Sequence, residues 1–291
     1  MGTLIGCDFS SRPTRRKPIV VAQGHCRGDT VFLDSLLHFD KLEAFADWLA
    51  RPEPWLGGFD LPFGLPRELV TALGWSRDWE ACIRHFAALE RSVIRGHFKA
   101  FCDARPAGGK FAHRATDRPA GSSPSMKWVN PPVAYMLHAG VPLLLDAGIH
   151  LPGVQPAPAQ APARIALEAY PGLLAREVLG RRSYKSDDPA RQTAERRAHR
   201  DLLLQALRQG QTRLAMGLHL RPEQHAALLD DASGDALDAC LCLVQAAWAA
   251  RRGWPWFGLP EGLLAAVICA GLLVGLDPLE GWIVTADGPT A

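Results

Sequence analysis

Several absences narrow this chain before any motif is considered. Its 7 cysteines are odd in number and scattered, with no Cys-x-x-Cys, and its 10 histidines include no His-Glu-x-x-His. Both facts argue against zinc chemistry. Cys240 and Cys242 lie two apart, so on a helix they point to different sides. The expectation is reduced, mostly buried thiols in a cytoplasmic protein. There is no Walker phosphate loop and no Gly-x-Ser-x-Gly elbow. Charge of one sign is not in excess: 32 Lys and Arg face 30 Asp and Glu, so overall charge gives no argument for nucleic acid. The N-terminus opens on a strand pattern, without a basic-then-apolar leader. The apolar run 262–276, bounded by Glu261 and Asp277, falls short of the roughly 20 residues a spanning helix needs. It is expected to form a buried helix, and no membrane partner is expected. No internal repeat is present.

What is present is an apolar fraction of 48% over 291 residues, enough for one large domain or two small ones. Residues 3–9, 19–24 and 30–37 read as strands joined by short turns, an antiparallel meander. Residues 41–50 have helical spacing, with Leu42, Phe45, Ala46 and Leu49 on one face. Residues 55–61 form a fourth strand, parallel to an earlier one because a helix crosses over between them. The stretch 66–163 has helix signals and no clear strand, with a helix over 131–147 opening at its prolines. Residues 152–162 alternate Pro and Ala, a stiff linker. A fifth strand over 164–170, helices over 173–179, 189–209 and 234–250, and a last strand over 282–285 complete the reading. The organisation is one α/β domain: a mixed five-stranded sheet flanked by helices, its core in 1–75 and 164–291, with a helical insertion over 76–163.

Four short segments place acids where a strand ends or a helix begins. Asp8 ends the first strand, Asp60 follows Gly57-Gly58-Phe59, Glu168 closes an apolar strand run, and Asp235 and Asp238 open the helix over 234–250. Each has an ordinary alternative. Asp8 fits a turn cap through Ser10 or Ser11, Asp60 precedes a turn, and Glu168 fits an exposed edge. Asp235 and Asp238 favour a helix N-terminus through its dipole and free amides. Taken jointly, the acids argue differently. Unpaired carboxylates inside apolar runs are costly, and the carboxyl ends of parallel strands gather at one sheet edge. The (i, i+3) pair projects from one helix face toward that edge. A cage of hard oxygens suits Mg²⁺ or Mn²⁺. Two ions about 4 Å apart would activate a water and stabilise the departing oxygen at phosphorus. The paired glycines before Asp60 indicate close backbone approach.

The order Gly6-Cys7-Asp8, Phe59-Asp60-Leu61-Pro62-Phe63-Gly64-Leu65-Pro66, Leu167-Glu168-Ala169-Tyr170-Pro171 and Asp235-Ala236-Leu237-Asp238-Ala239 resembles the DUF429 family of predicted RNase H-like nucleases. Lys127-Trp128-Val129-Asn130-Pro131-Pro132, Tyr184-Lys185-Ser186-Asp187 and Glu280-Gly281-Trp282-Ile283 extend the resemblance over nearly the whole length. The resemblance implies an RNase H-like fold. Its first-strand acid is Asp8, its fourth-strand acid Asp60, and its last-helix acids Asp235 and Asp238. The implied activity is phosphodiester hydrolysis with two Mg²⁺ or Mn²⁺ ions, Asp8 bridging them, Asp60 and Asp238 completing their shells, and Asp235 or Glu168 assisting. The implied partner is nucleic acid, DNA or RNA, including structured or branched forms.

Local cations fit such a partner. Arg12, Arg15, Arg16 and Lys17 follow Asp8 directly, and Lys110, Arg114 and Lys127 lie in a Gly- and Ser-rich stretch of the insertion. With Lys185 they are candidates for phosphate contact; a solvated surface is the plain alternative. Two other functions compete. One is an ATPase or phosphotransferase related to the actin-like kinases, with residues 6–11 as a phosphate turn, but its second glycine-rich loop is missing. The other is a non-catalytic nucleic-acid-binding protein on the same fold.

Overall fold

Alternating apolar runs become β1 (Thr3–Asp8), β2 (Ile19–Arg27) and β3 (Thr30–Phe39), with Gly28 turning the β2 to β3 hairpin at φ 58°. The coordinates are a computed structural model that describes residues 2–106, 108–260, 267–269, 272–274 and 277–287. The chain continues through α1 (Leu42–Leu49) and β4 (Trp55–Asp60). A helical stretch follows: α2 (Arg67–Ala72), α3 (Trp79–Ala88), α4 (Arg91–Asp103), α5 (Asp117–Ala120) and α6 (Val133–Asp146). It returns through β5 (Arg164–Glu168), α7 (Pro171–Leu179), α8 (Ala194–Arg208), β6 (Gly217–His219), α9 (Pro222–Asp230) and α10 (Asp235–Arg252). A separate hairpin pairs β7 (Val267–Cys269) with β8 (Leu272–Val274).

The main sheet is six-stranded and mixed, in the order β5-β4-β1-β2-β3-β6. β2 runs antiparallel to β1 and β3, while β4 is parallel to β1, β5 to β4 and β6 to β3. Helices cover both faces. On one, Ile5, Cys7 and Val21 pack with α1 and with insertion residues Ile83, Phe98 and Leu137. On the other, Leu4, Val20 and Ala22 meet Leu204 of α8 and Leu243 of α10. The period-2 alternation of β1 thus sends Leu4, Gly6 and Asp8 to the α10 face. The insertion completes one face of this α/β sandwich.

The expected elements differ from the structure in four places. The sheet gains a sixth strand, β6, whose three residues are too few to show alternation. Residues 282–285 are not a strand: Val284 N–H makes a single 2.7 Å bond to the Glu168 carbonyl, and Thr285 turns to φ 73°. Within 262–276, where a buried helix was expected, Val267–Cys269 and Leu272–Val274 pair antiparallel; the remaining residues of that run, apart from these six, lie outside the described ones. The polar helix starts at Ala194 rather than 189, where the Thr193 hydroxyl accepts the Arg196 N–H at 3.3 Å as a cap. Among the described residues no helix is long and apolar enough to cross a membrane. Cys7, Cys26, Cys82, Cys102, Cys240 and Cys242 are buried and free.

Candidate metal centre

Two glycines bring the acids together. Asp8 and Asp60 are register partners on adjacent parallel strands, so their side chains emerge side by side on the same face. Gly6 and Gly58 stand two residues before them, also as partners and also on that face. A Cβ on Gly6 would lie 2.1 Å from the Ala239 carbonyl oxygen of α10, and one on Gly58 2.6 Å from that of Cys242. Only glycine lets the helix backbone lie this close to the sheet. The close approach expected from Gly57 and Gly58 is made by a helix at Gly58, and Gly6 opens the matching gap beside it. It carries Asp238, one residue before Ala239, to the ends of β1 and β4.

The result is a group of three carboxylates, Asp8, Asp60 and Asp238, with one oxygen from each lying within 4.8 Å of the others. Asp8 is 8% exposed and Asp238 is fully buried. Asp238 is held from both sides. The Tyr184 hydroxyl donates to its Oδ1 and the Lys185 ammonium to its Oδ2. Among the described residues Asp8 and Asp60 receive no such side-chain donor. Burial, reinforced by the neighbouring Asp238, pushes the Asp60 carboxyl up to about 7 and raises Asp8 well above the usual range. Burial alone would lower the Lys185 ammonium, but Asp238, Tyr184 and Asp8 outweigh it and hold it above its ordinary value. The donor set is oxygen only, compact and short of positive charge, which fits a hard divalent cation.

Asp235 and Glu168 border this group without joining it. Asp235, expected as a further ligand, pairs instead with Lys17 at 3.3 Å, and Lys17 also donates to Asp187 at 2.6 Å. Glu168, expected to assist catalysis, and Arg114, expected to meet phosphate, satisfy each other. Arg114 donates to Glu168 Oε1 at 2.6 Å and Oε2 at 2.9 Å, and to Asp117 Oδ1 at 2.9 Å. Phe63 N–H donates a further 2.9 Å bond to Glu168. Arg114 is 2% exposed and Asp117 fully buried, so this guanidinium is the counter-ion of two buried acids, and with Glu168 it borders the smaller of two cavities beside Asp60 and Asp238. Lys110 is exposed on the insertion and Lys127 is half-buried; neither lines the cavities that hold the acids.

Two cavities meet at the three acids. A cavity of about 960 Å³ is lined by Asp8, Asp60 and Asp235, with Arg12, Lys17 and Arg91 on its walls. Arg91 is fixed there: it donates to the Ser11 carbonyl at 2.9 Å and lies 4.7 Å from the Tyr135 ring centre. A cavity of about 360 Å³ adjoins it, with Asp60, Asp238 and Lys185 beside Tyr170, Val133 and Met136. The basic turn after Asp8 thus borders the site, as its position implied. Sequence reasoning missed Arg91, Tyr135 and the grip of Tyr184 on Asp238. The only available sign of the last was the run Tyr184-Lys185-Ser186-Asp187. Comparison with protein-family models, with curated proteins and with solved structures finds no match to this chain.

Proposed function

We propose that this protein is a divalent-metal-dependent nuclease with an RNase H-like core, hydrolysing phosphodiester bonds of nucleic acid. One observation carries the reading. The first-strand, fourth-strand and last-helix acids singled out by the resemblance to the DUF429 family include the three carboxylates that lie within 4.8 Å of one another. Mg²⁺ or Mn²⁺ suits the oxygen donors, and an ion held by Asp8, Asp60 and Asp238 supplies Lewis acidity toward phosphate and water.

The chain's own residues account for the rest. Tyr184 and Lys185 fix the Asp238 carboxylate, so its orientation does not depend on the ligand. Arg12, Lys17 and Arg91 place positive charge on the wall of the larger cavity, where phosphates flanking the reacting one would lie. The apolar lining of the smaller cavity keeps bulk water from one side of the acids.

Purified protein incubated with linear, branched and RNA-containing duplexes, in Mg²⁺, Mn²⁺ or chelator, tests this reading beside Asp8→Asn. Metal-dependent cutting that falls at least 100-fold in the variant is the expected result. Binding without cutting would replace the nuclease by a non-catalytic binding protein, and turnover of ATP instead of nucleic acid by a phosphotransferase.

A further inference from the structure

The acids that would extend the three-carboxylate group are already committed. Asp235 is paired with Lys17, and Glu168 with Arg114. Among the described residues no further carboxylate joins Asp8, Asp60 and Asp238, whereas two ions need donors beyond a shared set. What stands beside Asp238 instead is a cation that the chain supplies, the Lys185 ammonium.

That lysine is built into place. Its stem crosses Gly234, where a Cβ would lie 2.7 Å from Lys185 Cβ and 3.0 Å from its Cδ. Gly234 also adopts φ 75°, a conformation that other residues rarely take. The segment carrying the lysine is pinned through its backbone. Arg200 donates to the Tyr184 carbonyl at 2.8 Å, the His199 ring meets the Ser183 carbonyl at 2.8 Å, and Ser186 N–H donates to the Ala232 carbonyl at 3.1 Å. The Lys185 side chain, 39% exposed, therefore reaches a fully buried carboxylate along a path kept clear for it. Asp8, 8% exposed, receives no hydrogen bond from a described side chain and remains open to a ligand. When ionised, three carboxylates against one ammonium leave the charge of a single divalent cation to be supplied.

We infer that the centre holds one divalent cation, and that Lys185 supplies as a fixed ammonium the second positive charge that a two-ion centre takes from metal. This rests on reading the acids as a metal centre. It replaces the expectation of two ions with one ion and a lysine, and assigns Lys185 a place beside the bound phosphate.

Counting ions on the intact chain tests the inference without any substrate. Chelator-stripped protein is dialysed against Mn²⁺ and studied by electron paramagnetic resonance, with Asp8→Asn as the blank for surface binding. The expected result for the wild type is one Mn²⁺ above the blank, with a spectrum free of metal–metal coupling. In Lys185→Gln the count is expected to rise to two and coupling to appear, because the vacated place between acids now attracts an ion. Lys185→Arg, which keeps the charge, is expected to stay at one. Circular dichroism checks that each variant is folded, and the wild-type count tests the single ion even where a variant fails to fold. Two coupled ions in the wild type would overturn the inference and leave the metal reading intact. So would a folded Lys185→Gln that binds one ion with unchanged affinity. A wild type that binds no Mn²⁺ above the blank would overturn the metal reading and this inference with it.

Discussion

Two buried groups of acids lie at neighbouring strand ends and are balanced in opposite ways. Around Glu168 the charge is matched by geometry: Arg114 reaches both of its oxygens and Asp117 besides, and Phe63 N–H adds a further bond. Around Asp8, Asp60 and Asp238 there are three carboxylates and one lysine. Both groups come from acids in apolar strand or helix runs, so burial is common to them and separates nothing. The difference is the partner. An acid buried with its guanidinium is part of the scaffold. Acids buried together with too little positive charge destabilise the fold, and such a cost is retained where a ligand or a reaction needs it.

Removing the cation from the balanced group should give the largest effect. Arg114→Met would leave Glu168 and Asp117 buried without a counter-ion, and unfolding in urea should show a loss of about 3–5 kcal/mol. Mn²⁺ binding by the fraction still folded should be unchanged. A loss of binding without a loss of stability would move Arg114 from the scaffold into the functional site and erase the contrast between the two groups.

The opposite sign is expected at the unbalanced group. Asp60→Asn in metal-free protein should raise stability by roughly 1–3 kcal/mol, because it removes a charge that burial and Asp238 oppose. The pH dependence follows from the same shift. The Asp60 carboxyl titrates near 7 in the folded state and near 4 when unfolded. Its contribution to stability is therefore full below about pH 4 and lost as pH rises through about 7. Metal-free wild type should accordingly melt at lower temperature at pH 8 than at pH 5, and Asp60→Asn should lose part of that difference, the raised Asp8 carboxyl keeping the rest. A variant that is less stable than wild type at pH 8 would show that the group is already balanced without metal.

The three converging acids were legible in the sequence because each interrupts an apolar run, and the glycine pair before Asp60 gave a physical reason for close approach; the matching role of Gly6 was not legible. Glu168 carries the same local signature and has a different partner. What separates it is Arg114, 54 residues away in the insertion, and no local pattern encodes that pairing. The partner of Asp235 was hidden for the same reason, since Lys17 is 218 residues distant. The (i, i+3) spacing places Asp235 and Asp238 on one face but does not say which cation each will meet. Periodicity fixed the long elements, including the body of the helix expected over 189–209, which is α8. It failed where a run was too short, as in β6, or uniformly apolar, as in 262–276, where helix and strand read alike.

Asp235 marks where the unbalanced group ends, and the smallest expected effect tests that boundary. Its carboxylate is 4% exposed at the side chain, but Lys17 is 45% exposed, so solvent screens much of the pair. Lys17→Ala should cost about 1 kcal/mol or less in urea unfolding. It should leave Mn²⁺ affinity within a factor of two to three of wild type, because Asp235 belongs to its own ion pair rather than to the group of three carboxylates. Should the variant instead bind Mn²⁺ at least tenfold tighter, the freed Asp235 would have become a ligand. Lys17 would then be a second built-in cation holding an acid away from the centre, and the line between the two kinds of buried carboxylate would run through α10 itself, between Asp235 and Asp238.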